Sequence, residues 1–408
     1  MEETARNETR GYSHALKIGY FITQFPYPES FKKGELYQSY PTGGAEVAAY
    51  HLARNFARMG HEVTVFTTSA DSRSSLEESG GVKIYRYATN LKIMKGFISL
   101  QLFLKSPQIT VDIVHIHFAN PPAELAAWLY AKIKRKPLVV HYHGDTGTYG
   151  RLIRNILLSL WNRFVLNIVL SSAKIIICNS EYYISQSHYL PKYREKIVAI
   201  PCGINPEEIQ VSYNKEECRE KLSLQKGDKI ILFVGVLINY KSPNLLIEAL
   251  PLIIEEIPEA KLVLVGDGPM RHALEKLSQE LGVSDKVIFA GRVGDDSKTL
   301  YYNAADVFAL PSTMSSESFG IVLLEAAVAR LPLVVSSLNA FRALVKDGYN
   351  GLVTELGDAV SLAEAINRLL ADPALRQEMG ENARVSVKDY SWENIAKRVE
   401  SVYKTLVT

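Results

Sequence analysis

Two glutamates in the C-terminal third of the chain have a spacing that suits an elongated, hydroxylated anion. Glu317 and Glu325 stand eight residues apart, and the apolar pattern predicts a helix from Phe319 onward. At about 1.5 Å of rise per helical residue, the two carboxylates would lie on the order of 12 Å apart, about the length of a sugar–diphosphate–ribose unit. First-turn amides without an intrahelical partner would lie between them and could bind the diphosphate. These are the amides near Gly320, Ile321 and Val322.

Two His-x-His pairs carry a different chemistry. His115/His117 and His141/His143 each fall near the end of a predicted strand, and period-two spacing places both members of a pair on one face. Imidazoles in this arrangement can bind zinc or iron, so a metal-dependent hydrolase is an alternative hypothesis. Asp145 is the single acidic residue that accompanies them at a strand end. The pairs therefore indicate a metal site less strongly than the glutamates indicate a site for an elongated, hydroxylated anion.

Glycine turns give a third, weaker signal. Gly266 and Gly268 follow an apolar run and begin like the GxGxxG loop of nicotinamide-dependent dehydrogenases, but Met270 and Arg271 do not continue the pattern. Gly43-Gly44 is likewise not a GxGxxG. These turns do not by themselves identify a dehydrogenase.

The elements that must position these residues alternate between short apolar runs and helical patterns, which is typical of parallel α/β units. Runs in the first half of the chain are KIGYFIT (17–23), HEVTVFTT (61–68), GVKIYRY (81–87), DIVHIHF (112–118), PLVVHYH (137–143) and KIIICNS (174–180). Runs in the second half are KIILFVG (229–235), KLVLVGDG (261–268), KVIFAG (286–291), ADVFALPS (305–312) and LPLVVSS (331–337). The pattern predicts two doubly wound, Rossmann-like parallel sheets facing a cleft.

A chain of 408 residues exceeds one ordinary core, so we expect two domains. The strand–helix pattern pauses in the turn-rich segment IPCGINPEE. We therefore expect a disordered tail at 1–16, an N-terminal Rossmann-like domain at 17–205 and a C-terminal Rossmann-like domain at 206–388. A last helix at 389–408, with Ser391 as a plausible N-cap, would cross back to the first domain.

Charge is unevenly distributed along the chain. The formal net charge is +2, but the segment 91–175 carries eleven Lys or Arg residues and only three acidic residues. A basic segment of this kind favours binding of an anionic partner, such as a membrane surface or a phosphorylated lipid. We expect no nucleic-acid partner.

Targeting and redox features are sparse. The polar first 16 residues lack the apolar core of a signal peptide, and no charge-free apolar run reaches the roughly 18 residues of a membrane span. Residues 151–170 predict an amphipathic helix, either half-buried in the domain or lying in a membrane interface. Three cysteines without a CxxC pair suit a reducing compartment. We expect a cytoplasmic protein, peripheral at the membrane face if that helix is interfacial.

The segment ESFGIVLLE (317–325) resembles the EX7E motif of retaining glycosyltransferases with the GT-B fold, in particular glycosyltransferase family 4. Ordered matches along nearly the whole chain support the resemblance. They are GGAE (43–46), DIVHIH (112–117), HYHGD (141–145), IPCGIN (200–205), VLVGDGP (263–269), ADVFALPS (305–312) and GYNGLV (348–353).

The resemblance implies roles for individual residues. Glu317 would hold donor-sugar hydroxyls, His143 would lie near the transferred sugar, and Lys241 would neutralise the leaving diphosphate. Glu325 would bind the ribose diol. The remaining implied donor contacts are Gly43 and Gly44 of the glycine loop, Gly235 beside Lys241, Arg292 and Val293 of the base-contacting loop, and the helix-start residues Phe319, Gly320, Ile321 and Val322.

The resemblance implies a sugar moved from a UDP- or GDP-linked donor to a glycan or lipid-linked acceptor, with no cofactor and no metal. It also implies that the domain at 17–205 lies on the acceptor side and that the domain at 206–388 binds the nucleotide sugar. Two departures from the family pattern affect individual contacts. Val236 replaces the arginine of FVGRL, which removes half of the expected cationic pair, and SSLNA (336–340) lacks two glycines. A GT-B sugar-nucleotide epimerase and the metal-dependent hydrolase stay as alternatives.

Overall fold

Apolar runs of the first half form strands that are buried on both faces, as parallel strands are. The chain is described by a computed structural model over residues 15–27, 43–93, 96–118, 121–145 and 152–407; most of the predicted tail at 1–16 lies outside these residues. The first-half strands are β1 (Lys17–Phe21), β2 (Glu62–Thr68), β3 (Ser75–Ser79), β4 (Val82–Tyr87), β5 (Leu91–Ile93), β6 (Gly96–Ile98), β7 (Ile113–Phe118), β8 (Leu138–Tyr142), β9 (Ile175–Cys178) and β10 (Ile197–Ala199).

Eight of these strands form one sheet in the order β10-β9-β8-β7-β1-β2-β4-β3, in which only β3 is antiparallel to its neighbour; β5 and β6 form a separate hairpin. Helices cover both faces. They are α1 (Gly44–Arg58), α2 (Leu100–Leu104), α3 (Ala123–Lys134), α4 (Leu152–Trp161), α5 (Asn167–Ser172) and α6 (Glu181–Gln186), with a π-helical turn at Asn162–Leu166 between α4 and α5. We call this half the N-terminal lobe.

The second half repeats the plan with a six-stranded, fully parallel sheet. Its strands are β11 (Lys229–Val234), β12 (Ala260–Val265), β13 (Val287–Gly291), β14 (Val307–Leu310), β15 (Leu333–Ser336) and β16 (Gly351–Thr354), in the order β13-β12-β11-β14-β15-β16. Its helices are α7 (Lys215–Lys221), α8 (Pro243–Glu256), α9 (Arg271–Glu280), α10 (Asp295–Ala304), α11 (Ile321–Val328), α12 (Ala359–Ala371) and α13 (Pro373–Ser386). We call this half the C-terminal lobe. The predicted architecture of two Rossmann-like parallel sheets is confirmed.

A last helix, α14 (Trp392–Val407), returns to the N-terminal lobe. Just before it, the chain runs beside the segment that links the lobes: the Ile204 amide donates to the Tyr390 carbonyl at 2.8 Å, and the Trp392 amide donates to the Ile204 carbonyl at 3.3 Å. The Tyr403 ring then stacks on Phe56 of α1. The two halves are therefore joined by two adjacent chain crossings.

His51 of α1 anchors the start of this helix. Its ring stacks on Trp392 with centroids 5.2 Å apart, and its Nδ1 accepts a hydrogen bond from the Asn205 amide group. Burial, reinforced by the Arg54 guanidinium, lowers the pKa of His51 to about 4. The packed state of this corner therefore requires a neutral imidazole.

We expect His51 to make the fold sensitive to acid. Below pH ~6.5 the unfolded chain takes up a proton at His51 that the folded chain refuses, so stability falls with pH until about pH 4. When the pH is lowered from 7.5 to 5.5, wild type should lose about 1.4 kcal/mol more unfolding free energy than His51→Gln, which keeps an acceptor for Asn205. Urea unfolding at the two pH values measures the difference. Equal losses in the two proteins would show that His51 does not contribute.

Candidate active site

Glu317 lies in the loop before α11 and forms a buried ion pair. Its Oε2 is 2.6 Å from the Nζ of Lys241, and Ser312 Oγ donates to the same oxygen at 3.4 Å. Burial opposes the charge on Lys241, but the Glu317 carboxylate outweighs it and raises the pKa of the lysine. The pair therefore stays ionised, with a positive and a negative group fixed side by side.

Gly235 makes room for this lysine. It directly follows β11 and has φ +158°. A Cβ built there would lie 3.1 Å from Lys241 Cδ. A larger residue would push the ammonium away from Glu317. Next to it, Val236 has an exposed side chain in place of the arginine that the family pattern predicts.

Glu325 is held by partners that the sequence did not reveal. Lys298 Nζ lies 3.0 Å from its Oε1, and the Tyr302 hydroxyl donates to its Oε2 at 2.6 Å. Lys298 also lies 3.2 Å from Asp295. Burial opposes the charge on Lys298, but the two carboxylates raise its pKa, and burial together with Glu325 raises the pKa of Tyr302. The one sequence signal was the i, i+4 spacing of residues 298 and 302, which places both on one face of α10.

The helix that carries Glu325 starts later than predicted. α11 begins at Ile321, because Gly320 adopts left-handed backbone angles (φ +79°), where a Cβ would lie 3.0 Å from Leu323. Glu325 is therefore little more than one turn inside the helix, two residues closer to its start than a helix from Phe319 would place it. Phe319 is a core residue, 1% exposed. The first-turn amides of Ile321 and Val322 still have no intrahelical acceptor.

The glycine loop of the N-terminal lobe lies against this helix start. A Cβ on Gly44 would be 3.3 Å from Ile321 Cδ1, and Gly43 donates its amide to Glu46 at 2.8 Å as the N-cap of α1. The N-termini of α1 and α11 thus approach each other across the lobes. Both carry the positive end of a helix dipole, which makes their meeting point favourable for an anion.

A cavity of about 1080 Å³ opens beside this point. Four of the predicted donor residues line it, together with Lys298 and Arg54. The four are Gly44, Ile321, Val322 and Glu325. The other predicted residues do not line it: Glu317 is buried, Lys241 and His143 are half-buried, Arg292 is exposed, and Val293 packs against the core.

His143 lies in the loop after β8, which reaches the C-terminal lobe. Its carbonyl accepts a hydrogen bond from the Ser318 hydroxyl, next to Glu317. Its ring stacks on His141, and its Nε2 is 3.0 Å from His117 Nδ1. Burial, followed by the neighbouring histidines, lowers the pKa of His143 well below its usual value. The ring is therefore a neutral hydrogen-bonding group, and the backbone carbonyl of His143 brings the loop against the residue that follows Glu317.

Asp145 fixes this loop. Its carboxylate accepts hydrogen bonds from Tyr142, Tyr183 and Ser187 side chains at 2.8, 3.0 and 2.6 Å, and from the His188 amide at 2.7 Å. The Tyr183 hydroxyl also lies 2.9 Å from the Ser315 carbonyl of the other lobe. With four donors, Asp145 serves as a structural anchor.

Helix α6 supplies the remaining contacts between the lobes here. Gln186 donates to the Glu317 carbonyl at 3.3 Å and accepts from the Ala340 amide at 3.1 Å, within the SSLNA run that departs from the family pattern. Asn179, just before α6, donates to Ser318 at 3.3 Å. Sequence reasoning did not single out α6, since Gln, Asn and Tyr side chains on a short helix carry no distinctive motif.

Comparison with known proteins identifies the family of the chain. Residues 42–208 match the family model described as Glycosyltransferase Family 4, and residues 214–386 match the one described as Glycosyl transferases group 1. The chain is 32% identical to the uncharacterized glycosyltransferase MJ1607 of Methanocaldococcus jannaschii, over 89% of this chain and 94% of that protein. It is 30% identical to the D-rhamnosyltransferase WbpZ of Pseudomonas aeruginosa, over 85% and 88% of the two chains.

Solved structures share the architecture. HepE of Anabaena, in complex with UDP and glucose, superposes with a TM-score of 0.74 at 21% identity, over 96% of this chain and all of that one. WaaG, a glycosyltransferase involved in lipopolysaccharide biosynthesis, gives a TM-score of 0.64 at 18% identity, over 94% and 99%. Two Rossmann-like lobes around a cleft are the architecture of the GT-B fold. The chain belongs to glycosyltransferase family 4, the group 1 glycosyl transferases, and is a glycosyltransferase.

Proposed function

We propose that the chain transfers a sugar from a UDP- or GDP-linked donor to a glycan or lipid-linked acceptor, with retention of configuration and without a metal ion. The observation that carries the proposal is the pairing of each EX7E glutamate with a lysine on either side of the α11 N-terminus. The complex of HepE with UDP and glucose, and the name of the D-rhamnosyltransferase WbpZ, support a nucleotide-sugar donor.

The donor would extend from one ion pair to the other. Its ribose hydroxyls would donate to Glu325 at the cavity, and its diphosphate would lie over the amides of Ile321 and Val322, facing Gly44. The sugar would then reach Glu317 and His143. Lys298 would supply positive charge beside Glu325, in addition to Lys241, since Val236 stands where the family pattern has an arginine.

The acceptor would attack the sugar on the same face from which the diphosphate leaves. The acceptor oxygen forms a bond to the anomeric carbon while the bond from that carbon to the diphosphate oxygen breaks, and the departing diphosphate takes the acceptor proton. Lys241 and the helix amides would stabilise the charge that develops on the phosphate. Glu317 and His143 would orient the sugar. Glu317 is paired with Lys241 and Asp145 has four donors, so neither is free to act as a carboxylate nucleophile.

A donor screen followed by product analysis tests this mechanism. We expect one sugar nucleotide to be consumed, the product to keep the anomeric configuration of the donor, and the rate to be unchanged in excess EDTA. NMR of the purified product gives the configuration. An inverted product would contradict retention, and loss of activity in EDTA that added Mg²⁺ or Mn²⁺ restores would contradict the metal-free step.

We also propose that the N-terminal lobe attaches to anionic lipid. Four large apolar side chains recur every four residues along α4, the π-helical turn and α5, and each is 44–58% exposed. They are Ile156, Leu160, Phe164 and Ile168. Lysines 174, 192 and 196 lie on the adjoining segments of the chain, which suits an anionic surface. Within the described residues, no helix combines the length and the apolar character that crossing a bilayer requires.

Liposome flotation tests this attachment. Wild type should float with vesicles that contain anionic lipid and should be released by high salt, because the lysines supply part of the attraction. The double variant Leu160→Ser/Phe164→Ser should stay in the dense bottom fraction of the gradient. Leu356→Ser, which removes an exposed apolar side chain of the other lobe, should float like wild type. Wild type that fails to float at low salt would contradict the proposal.

A further inference from the structure

Three buried histidines lie together on one face of the N-terminal sheet. His115 and His117 are on β7 and His141 is on the neighbouring β8, directly opposite His117. All three are at most 1% exposed, and none of them lines the cavity. The proposed transfer reaction uses none of these side chains.

Each ring has one nitrogen that is held by a neighbour. His115 Nδ1 contacts the Tyr403 hydroxyl of α14, His117 Nδ1 is 3.0 Å from His143 Nε2, and His141 Nε2 is 3.4 Å from Asn179 Oδ1. Metal-binding histidines have this arrangement, in which an outer hydrogen bond fixes the tautomer and the direction of the ring.

The second nitrogen of each ring has no hydrogen-bond partner among the described residues. These atoms are His115 Nε2, His117 Nε2 and His141 Nδ1. A buried polar atom without a partner destabilises the folded state, so three of them in one cluster indicate that the cluster binds something. One ring nitrogen from each histidine lies within 4.8 Å of the other two.

We propose that His115, His117 and His141 bind a divalent transition-metal ion of the zinc class, with the three unpartnered nitrogens as ligands. Imidazole nitrogens suit zinc, cobalt or nickel, whereas Mg²⁺ and Ca²⁺ take oxygen ligands. No fourth His, Cys, Asp or Glu of the described chain belongs to the group, so water would complete a tetrahedral set.

Binding requires a local adjustment of the rings. His117 now stacks on His115 and His141, with centroids 4.6 and 5.1 Å apart and planes 21° and 28° from parallel. Zn–N bonds of about 2.0–2.1 Å in a tetrahedron bring the nitrogens to about 3.4 Å from one another. Small rotations about the side-chain torsions must therefore turn the three nitrogens toward a common centre.

Such an ion would be structural and would act on the active site only through His117. With the metal on Nε2, the proton of His117 must reside on Nδ1, which then donates to His143 Nε2. The ion would thereby link β7 to β8 and fix the tautomer of His143. It would not take part in sugar transfer, and its enclosure would protect it from a chelator during an assay.

Metal analysis of the full chain, purified without a histidine tag and dialysed against EDTA, tests the proposal. We expect about one zinc per chain in wild type and in His272→Asn, which changes an exposed histidine elsewhere. The metal content of His141→Asn and of His115→Asn/His141→Asn should fall at least about tenfold, since even outer-shell changes at metal sites cost about 10–100-fold in affinity.

A cobalt spectrum tests the site without a variant. Wild type grown with Co²⁺, or refolded with it, should show the intense visible bands of a tetrahedral nitrogen-rich site. Wild type that holds no stoichiometric metal after purification and after refolding with Zn²⁺ would overturn the proposal. Metal that persists in the double variant, or only the weak bands of six-coordinate cobalt, would identify a surface ion and overturn it too. None of these results depends on the donor or on transfer activity.

Discussion

Replacing Lys241 with methionine is expected to lower kcat for sugar transfer by about 10²–10³-fold. The ammonium is the fixed positive charge beside Glu317, and removing one preorganised electrostatic group of this kind commonly costs that much. The same change leaves the Glu317 carboxylate buried without its partner, which should lower the free energy of unfolding by about 3–5 kcal/mol. Steady-state kinetics and urea unfolding measure the two effects.

A second variant separates catalysis from stability. Lys241→Met/Glu317→Gln removes both charges, so most of the lost stability should return while transfer stays as low as in the single variant. Lys276→Met breaks an exposed ion pair with Glu280 and should change neither quantity. If the double variant recovers activity along with stability, Lys241 is a structural residue and not part of the transfer step.

Replacing Glu325 with glutamine is expected to weaken nucleotide binding by about 10–100-fold with a smaller effect on kcat. Hydrogen bonds from the ribose diol to a charged acceptor contribute about 1.5–3 kcal/mol, and the neutral amide loses much of this. Calorimetric titration with the nucleoside diphosphate measures it. Glu381→Gln, at an exposed pair with Arg330, is the matched control and should bind like wild type.

A deoxyribose nucleotide shows whether the loss arises at the ribose. Wild type should bind the 2′,3′-dideoxy nucleotide as weakly as Glu325→Gln binds the normal one, and the variant should not distinguish the two ligands. If both modifications weaken binding independently, Glu325 contacts another part of the donor, and the assignment of the ribose end is wrong.

The architecture followed from the sequence because buried parallel strands are short apolar runs whose pattern is local. The strand at 229–234 ends one residue before its predicted bound, and the strand at 260–265 starts one residue before and ends three residues before its predicted bounds. The polar edge strand Ser75–Ser79 was not predicted, since it carries no apolar run and exists through pairing with β4. Strand β16 was not predicted as a strand either, because it is only four residues long and begins at a glycine.

Site residues were predictable where a local motif contains them and not where tertiary contacts create them. The two glutamates and Gly44 come from such motifs. Lys298 pairs with Glu325, which is 27 positions away along the chain, and the partners of Asp145 lie up to 43 positions away. No local pattern encodes these contacts. The start of α11 was misplaced because the apolar sequence FGIVLL continues smoothly across Gly320, and only the backbone angles of that glycine end the loop there.

The return of α14 to the N-terminal lobe has a consequence for how the chain is made. Tyr403 packs on Phe56 and contacts His115, so the core of the first lobe includes a side chain synthesised near the end of translation. The nascent first lobe must therefore wait on the ribosome, with part of its apolar face uncovered, until the whole second lobe has emerged.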